Sequence, residues 1–234
     1  MSNLYIVATP IGNLQDITLR AAKILLESKV IVAESTSKAG LLLKYLREVY
    51  PDLAAKNRGS TPKIVSMTED EEGGKIPSIL SILKVNDIAL ISEAGTPLIS
   101  DPGFKLVREA IKRGIRIIPV PGPTSAIAAL TASGLPPDKF IFLGYLPKKD
   151  RRREDILENL KKIRTIIPVT AVIFESPHRL VDGLISIQNV FGNIDLVITR
   201  ELTKVHEEVI RGKVEDALEI FNQKSPKGEF AILF

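Results

Sequence analysis

Short apolar segments alternate with amphipathic helical patterns through the first half of this 234-residue chain. Val30–Ala33, residues 87–92 and Arg116–Val120 have the length and apolar content of buried strands, and helical patterns lie between them. Parallel strands need such crossovers, and the helices then cover both faces of the sheet. The first half is therefore predicted to form a mostly parallel α/β sheet.

Capping residues predict where one helix of this half begins and where another ends. The helix after the first strand has Asp16 or Thr18 available as its N-cap. The helix at residues 104–114 is predicted to end at Gly114. Its spacing places four apolar residues on one face, which we expect to be buried: Leu106, Val107, Ala110 and Ile111.

The alternation of strand and helix patterns ends at the proline-rich segment 119–137. Beyond it, apolar segments at 140–146, 169–175 and 194–201 follow one another with reversing turns, and a charged helix is expected across residues 154–162. This pattern is typical of a mixed or antiparallel sheet. We therefore predict two α/β domains, residues 1–120 and 121–234. Residues 50–62 are predicted to be the least ordered connection, because prolines, an asparagine and a glycine interrupt them.

Composition excludes several classes of protein. Apolar residues make up 44% and charged residues 26%, which are ordinary globular values. An apolar run long enough to span a membrane is absent, and the N-terminus enters a strand without a signal-peptide pattern. The absence of cysteine excludes disulfides, thiolate metal sites and cysteine nucleophiles. We expect a cytoplasmic protein with no membrane association and no metal.

Positive charge is concentrated in the run "PKKDRRRED" at residues 147–155. Such a cluster is either a solvated loop or a contact for a polyanion such as RNA. The candidate RNA-binding residues are Lys148, Lys149, Arg151, Arg152 and Arg153. The acidic run "TEDEEGG" at residues 68–74 would repel phosphates, so we expect it to face elsewhere.

Four loops rich in glycine and proline each follow a predicted strand: "TPIGN", "SEAGTPLISDPG", "PGPTSA" and "FESPHR". Ligands of open α/β sheets bind at the carboxyl ends of the strands, so we expect these loops to share one edge. A P-loop, a dinucleotide-binding glycine motif and a nucleophile elbow are all absent from the sequence. Bare backbone with few charges suits a neutral or zwitterionic ligand such as an adenosyl compound.

Seven ordered stretches within residues 4–230 carry a family resemblance: "LYIVATPIGNLQDITLRA", "AGTPLISDPGFKLVREA", "PVPGPTSAIAALTASGLP", "FLGYLP", "FESPHRL", "RELTKVHEEVIRG" and "GEF". On these, the chain resembles the tetrapyrrole-methylase-type (class III) S-adenosylmethionine methyltransferases. Within them it resembles the ribosomal RNA small subunit methyltransferase I family, which methylates a cytidine ribose 2′-oxygen. The resemblance implies a homodimer that acts on ribosomal RNA or the small ribosomal subunit.

The resemblance also implies S-adenosylmethionine as cofactor, held in a cleft between the two α/β domains. Carried over motif by motif, the cofactor-binding residues are Pro10, Ala94, Gly95, Thr96, Ile99, Thr124, Ser125, Phe174, Glu175 and Leu202. A ribose hydroxyl is a poor nucleophile, so a nearby base or cation would help. The catalytic candidates are Glu34, Glu201, Lys204 and His206. Lys204 could instead bind a phosphate or pair with a glutamate, and His206 could be an ordinary surface histidine.

Two segments depart from the family pattern. After the second strand the family has Ala-Glu-Asp-Thr-Arg, where this chain has "AESTS" with Ser35 and Ser37. A histidine-rich family segment is replaced by "VSMTEDEE" at residues 65–72. Two alternatives therefore stay open: a class III methyltransferase that acts on a small molecule such as a tetrapyrrole, or a catalytically weak relative that binds S-adenosylmethionine or RNA.

Overall fold

The computed structural model describes residues 2–56, 61–223 and 225–234. The chain divides into two compact units, Met1–Thr124 and Ser125–Phe234, where the proline-rich segment predicted a boundary after residue 120. Among the described helices, none has both the length and the apolar character that crossing a membrane requires.

The first unit is built on a five-stranded parallel sheet, which confirms the predicted sheet type. Its strands β1 to β5 span Asn3–Val7, Val30–Ala33, Lys63–Ser66, Ile88–Ile91 and Arg116–Val120, in the spatial order β3-β2-β4-β1-β5. Helices α1 to α5 span Leu19–Glu27, Thr36–Val49, Pro51–Lys56, Glu72–Ile82 and Phe104–Lys112, with a 3₁₀ turn at Leu14–Asp16. Two apolar clusters, one on each face of the sheet, form the core of this unit.

Side-chain caps explain where two helices of this unit begin. Of the two candidates, Thr18 is the N-cap of α1, and its hydroxyl accepts a hydrogen bond from the Ala21 N–H at 3.1 Å. Ser35 is the N-cap of α2 and accepts from the Lys38 N–H at 3.3 Å. The "AESTS" segment therefore contains a working helix cap.

The structure corrects one expectation for this unit and adds detail to two others. In α5, Leu106 and Ala110 are buried as predicted, but Ile111 is 59% exposed, so the buried face is narrower than the periodicity suggested. Glu72, in the acidic run, is buried, and its carboxylate accepts a hydrogen bond from the Leu106 N–H at 3.1 Å. Its position is explained by Gly103, the N-cap of α5, which has no side chain to offer. Within residues 50–62, Pro51–Lys56 forms α3, whereas residues 57–60 lie outside the described part of the chain.

The second unit contains a mixed five-stranded sheet, as predicted. Strands β6 to β10 span Phe140–Tyr145, Thr170–Glu175, Asp195–Arg200, Glu208–Lys213 and Phe230–Leu233, in the spatial order β6-β7-β10-β8-β9. The β6/β7 pair is parallel and the other pairs are antiparallel. Helices α6 to α9 span Ser125–Ser133, Asp150–Ile166, Leu180–Phe191 and Val214–Gln223, with a 3₁₀ turn at Pro177–Arg179.

Helices cover both faces of this second sheet. Residues of α7, α8 and α9 pack in the larger apolar cluster, and the small-residue helix α6 packs on the opposite face. The sequence analysis did not predict α9, and α7 is longer than the predicted helix at 154–162. α7 begins at Asp150, so Arg151, Arg152 and Arg153 lie in its first turn, whereas Lys148 and Lys149 precede it.

Candidate functional site

Three of the four loops rich in glycine and proline lie side by side in the first unit. They follow β4, β1 and β5, which are neighbours in the sheet, so their carboxyl ends meet at one edge. The fourth loop, "FESPHR", follows β7, a strand of the second sheet. The expectation that one sheet edge carries all four loops is therefore wrong.

Backbone hydrogen bonds join these three loops. The Thr9 N–H donates to the Gly95 carbonyl at 2.9 Å, and the Gly95 N–H returns a bond to the Thr9 carbonyl at 3.0 Å. The Thr96 hydroxyl donates to the Pro123 carbonyl at 3.0 Å, which links the β4 loop to the β5 loop. The three loops thus form one connected backbone surface.

Gly95 is required by this arrangement for two reasons. Its φ of +78° lies in the left-handed region, which other residues occupy at a cost. A Cβ at this position would lie 3.2 Å from Ile11 Cγ2, in the loop after β1. The glycine therefore allows the β1 and β4 loops to approach each other closely.

The loop after β4 also contains strained residues that are not glycine. Leu98 and Ser100 have φ values of +75° and +65°, each costing about 1–3 kcal/mol, and Ile99 between them is 44% exposed. Gly103 closes the loop at φ +122°, where a Cβ would lie 2.7 Å from Leu98 Cδ2. Strain of this kind is concentrated at ligand-binding segments, so the loop 92–103 is the leading ligand-binding candidate in the first unit.

The predicted cofactor residues of the first unit differ in exposure. Pro10 and Gly95 are buried, so only a small part of either could reach a ligand. Ala94, Thr96 and Thr124 are half-buried, and Ile99 is exposed. The accessible part of this set is backbone, small side chains and one apolar side chain, which suits a ligand with few charges.

Glu34 lies just after β2, whose neighbour β4 leads into the loop that contains Glu93. Partial burial, and then repulsion from Glu93, raise the pKa of Glu34 above its ordinary value, while Lys38 opposes the shift. Lys38 in turn forms an ion pair with Glu93. The group at this edge therefore has two carboxylates beside one ammonium, and Glu34 binds a proton more readily than an ordinary glutamate.

In the second unit, the sheet register places Phe174, Ala231 and Thr199 side by side in one row. The Phe174 ring contacts Phe142, with centroids 4.8 Å apart, and Leu202 packs in the same apolar cluster. The structure therefore brings together two predicted cofactor residues, Phe174 and Leu202. Ser125 begins α6, the helix that packs on this face.

Thr199 adds a functional candidate that sequence reasoning missed. Its hydroxyl is buried and has no hydrogen-bond partner among the described residues, although buried polar groups are usually paired. What places Thr199 beside Phe174 is the pairing of β8 with β10, which aligns Thr199 with Ala231. The spacing of residues along the sequence does not contain this register.

Glu175 needs a correction as a cofactor-binding side chain. Its carboxylate is fully buried, and Oε1 lies 2.9 Å from Arg179 Nη2 and accepts from the Ser176 N–H at 2.9 Å. A Cβ added to Gly183 in α8 would lie 3.2 Å from Oε2, so this side chain points toward the helix. Burial raises the pKa of Glu175, although the Ser176 N–H and Arg179 oppose the shift. The bonds of Oε1 to Arg179 and Ser176 make the carboxylate a structural group, and Oε2 has no hydrogen-bond partner among the described residues.

Glu201 and Lys204 form a charged cluster after β8. Lys204 Nζ lies 2.9 Å from Glu201 Oε1 and 3.1 Å from Glu229 Oε2. Partial burial works against the charged forms, but hydrogen bonding outweighs it: Lys204 and the Glu229 N–H lower the pKa of Glu201, and the two glutamates raise the pKa of Lys204. Lys204 therefore stays protonated, which makes it a cation and not a base. His206 lies in the adjoining exposed segment.

The basic run separates into an exposed part and a buried residue. Lys148, Lys149, Arg151 and Arg152 are exposed. Arg153 is only 2% exposed; its Nε donates to the Ser186 hydroxyl at 2.8 Å, and its Nη2 pairs with Asp150 at 2.7 Å. Arg153 is a structural residue, which corrects its assignment to RNA binding. Within the described residues, groups of acidic and histidine side chains suited to hold a metal ion are absent.

The parallel sheet with its connected loops and the separate mixed sheet define a class of two-unit α/β proteins. The family model for Tetrapyrrole (Corrin/Porphyrin) Methylases matches residues 3–218. Among solved structures, a diphthine synthase has a TM-score of 0.73 at 14% identity, covering 100% of this chain and 90% of that one. A uroporphyrin-III C-methyltransferase from Thermus thermophilus, complexed with S-adenyl homocysteine, has a TM-score of 0.63 at 17% identity, covering 99% and 97%. At these identities the structural matches show the fold.

Comparison with curated proteins identifies a narrower family within this class. Ribosomal RNA small subunit methyltransferase I from Thermotoga maritima is 43% identical over 235 residues, covering 100% of this chain and 98% of its own. The protein of that name from Halalkalibacterium halodurans is also 43% identical, covering 98% of this chain and 74% of its own. The chain therefore belongs to the tetrapyrrole methylase family and, within it, to the ribosomal RNA small subunit methyltransferase I family. The resemblance based on the seven sequence stretches is confirmed.

Proposed function

We propose that this methyltransferase transfers a methyl group from S-adenosylmethionine to a cytidine ribose 2′-oxygen in small-subunit ribosomal RNA. The observation that carries the proposal is the connected surface of three loops after β4, β1 and β5, in a chain 43% identical to proteins named for this RNA subunit. Substrate and partner follow from those names and from the exposed basic residues of the second unit. Such an enzyme acts in the cytoplasm. The homodimer implied by the resemblance stays a prediction.

The loops of the first unit fit an adenosyl cofactor. In this unit we assign Pro10, Ala94, Gly95, Thr96, Ile99 and Thr124 to cofactor binding. Backbone close to the ligand, a half-buried hydroxyl and an exposed Ile99 match a zwitterionic molecule with a large apolar part. In the second unit, Ser125, Phe174 and Leu202 are our candidates, and the unpartnered Thr199 hydroxyl supports a polar ligand group near Phe174.

S-adenosylmethionine supplies an electrophilic methyl group on a sulfonium, so the protein has to bind it, orient the ribose oxygen and receive a proton. We assign proton acceptance to Glu34, because burial and Glu93 raise its pKa and so increase its proton affinity. Lys204 stays protonated, so we assign it to a phosphate of the RNA, and we assign Glu201 to holding Lys204 in place. His206 is exposed and is assigned to contact with RNA.

RNA binding is assigned to the exposed cations Lys148, Lys149, Arg151 and Arg152. They lie within five consecutive positions and leave Asp150 as the acidic residue among them, so the local potential is strongly positive. Single-stranded RNA releases counterions when such cations pair with its phosphates.

The proposal is tested by transfer of labelled methyl from S-adenosylmethionine to purified small ribosomal subunits from a strain that lacks the enzyme. Nucleoside digestion should place the label in 2′-O-methylcytidine, and subunits from the complete strain, already methylated, should take up little. Label in another nucleoside would contradict the cytidine target. Transfer to a tetrapyrrole and not to subunits would favour the small-molecule alternative, and cofactor binding without transfer to either would favour the catalytically weak relative.

A further inference from the structure

Arg179 joins two loops of the second unit through three separate contacts. Its Nη2 lies 2.9 Å from Glu175 Oε1, its Nε donates to the Ser176 hydroxyl at 3.2 Å, and its Nη1 donates to the Leu146 carbonyl at 2.8 Å. The side chain is 19% exposed. A guanidinium is planar and presents its donors in a rigid fork, so these contacts fix the loop after β7 relative to the loop after β6.

The loop after β6 leads directly into the basic segment, defined here as residues 148–152. Leu146 is buried, whereas the four cations that follow it are exposed. The other end of the segment is held by Arg153, whose guanidinium bonds to Ser186 of α8 and to Asp150. The basic segment is therefore anchored at both ends by buried or half-buried arginines, while its charged side chains face solvent.

We propose that Arg179 is a positioning residue for RNA binding, which fixes the basic segment through the Leu146 carbonyl without contacting RNA. This proposal rests on the proposed function. The effect should be largest for Lys148 and Lys149, which precede α7, because cations on a fixed backbone lose less conformational entropy when they bind phosphates than the same cations on a mobile loop. Arg179 also bonds to Glu175 and Ser176 at the end of β7, so the basic segment is positioned together with the strand end that contains Phe174.

A simpler role for Arg179 is to neutralise the buried Glu175 carboxylate. The two roles predict different results for the double variant Glu175→Gln/Arg179→Gln, which removes both charges at once. If neutralisation is the whole role, this variant should recover the stability and the RNA affinity that Arg179→Gln alone loses. If Arg179 positions the segment, stability should recover while RNA affinity stays about tenfold below the parent, since the bond to Leu146 is still missing.

The salt dependence of RNA binding separates positioning from direct contact. Removal of one cation that pairs with a phosphate should reduce the slope of log affinity against log salt by about 0.7 for single-stranded RNA. We expect the double variant to keep the parent slope, measured with a small-subunit RNA fragment containing the methylated site. Arg211→Gln is the matched control, because Arg211 also bridges backbone carbonyls of this unit, at Ala132 and Ser133. It should leave both affinity and slope unchanged.

Hydrogen exchange provides a readout that does not require RNA. In the double variant, amide exchange across the basic segment should be at least several-fold faster than in the parent, with exchange in α9 unchanged. Unchanged exchange in that segment, parental RNA affinity, or a reduced salt slope would each overturn the proposal. If the parent binds no RNA, the proposed function fails, while the exchange measurement still decides whether Arg179 holds the segment.

Discussion

Thr9 and Gly95 exchange two backbone hydrogen bonds, 2.9 and 3.0 Å long, and so bridge the loops after β1 and β4. Two strands that are neighbours in a parallel sheet usually diverge into separate loops once they end. Here the bridge extends their contact beyond the sheet, and the Thr96 bond to Pro123 adds the loop after β5. The predicted cofactor residues of the first unit therefore depend on one backbone arrangement.

Gly95→Leu should abolish or strongly weaken binding of S-adenosylhomocysteine, measured by calorimetry. The added side chain meets Ile11 and occupies a left-handed φ, which together separate the β1 and β4 loops. Gly114→Leu is the control: its φ of +71° is similar, but a Cβ there meets nothing within 4 Å among the described residues. Both variants carry a backbone penalty of about 1–2 kcal/mol. Equal affinity in the two variants would contradict the loop-bridging role of Gly95.

Alanine at Lys148, Lys149, Arg151 and Arg152 together should weaken RNA binding and reduce the salt slope by about 0.7 for each phosphate that is no longer neutralised. Cofactor affinity should be unchanged, because these side chains are exposed and absent from the proposed cofactor contacts. A charge-matched control replaces Lys84, Lys112, Arg113 and Arg116 of the first unit. An equal loss of RNA affinity in the control would mean that net charge, and not this segment, determines binding.

Replacement of Arg153 by alanine should act differently from the exposed cations. The change leaves Ser186 and Asp150 without their buried partner, and removal of one member of a buried polar pair costs about 1–3 kcal/mol. The free energy of unfolding should therefore fall in chemical denaturation. The salt slope of RNA binding, measured where the variant is folded, should equal that of the parent. A reduced slope would show that Arg153 pairs with an RNA phosphate, contrary to this prediction.

The pH dependence of methyl transfer tests Glu34. A general base acts deprotonated, so kcat/KM should rise with pH through a pKa above the ordinary glutamate value of 4.5. Glu93→Gln removes a repulsive charge and should shift the acidic limb to lower pH, whereas Lys38→Met removes an attractive one and should shift it to higher pH. Glu34→Gln should reduce kcat with little effect on cofactor affinity. If Glu93→Gln and Lys38→Met shift the acidic limb in the same direction, Glu34 is excluded as the titrating group.

Restoring the family residues at Ser35 and Ser37 tests the substrate. Ser35→Asp should leave stability nearly unchanged, because aspartate and serine are comparable N-caps, whereas Ser35→Ala should cost about 1 kcal/mol. The double variant Ser35→Asp/Ser37→Arg should raise turnover on small ribosomal subunits if the family target is the substrate. Lower turnover with unchanged unfolding in urea would indicate that the segment is adapted to another substrate.

The sequence by itself determined the features that arise from local pattern. Strand and helix periods, the choice of Asp16 or Thr18 as the first helix cap, and the glycine and proline loops all depend on residues within a few positions of one another. Ordered motifs then indicated the family that the comparisons confirm. These were readable because hydrophobic period, capping and turn chemistry act over short stretches of chain.

Tertiary structure alone decided which charged groups are buried and which residues become neighbours. The sequence analysis assigned Arg153 and Glu175 to binding, but both are buried against α8. Glu72 belongs to the acidic run in the sequence, but its carboxylate is buried and accepts a hydrogen bond from the first turn of α5. Thr199 joins Phe174 only through the order β7-β10-β8, in which the last strand of the chain inserts between two earlier ones. Apart from that of Glu175 with Gly183, these contacts join residues 20 or more positions apart, and their stability depends on the packing of whole elements, so no local sequence pattern specifies them.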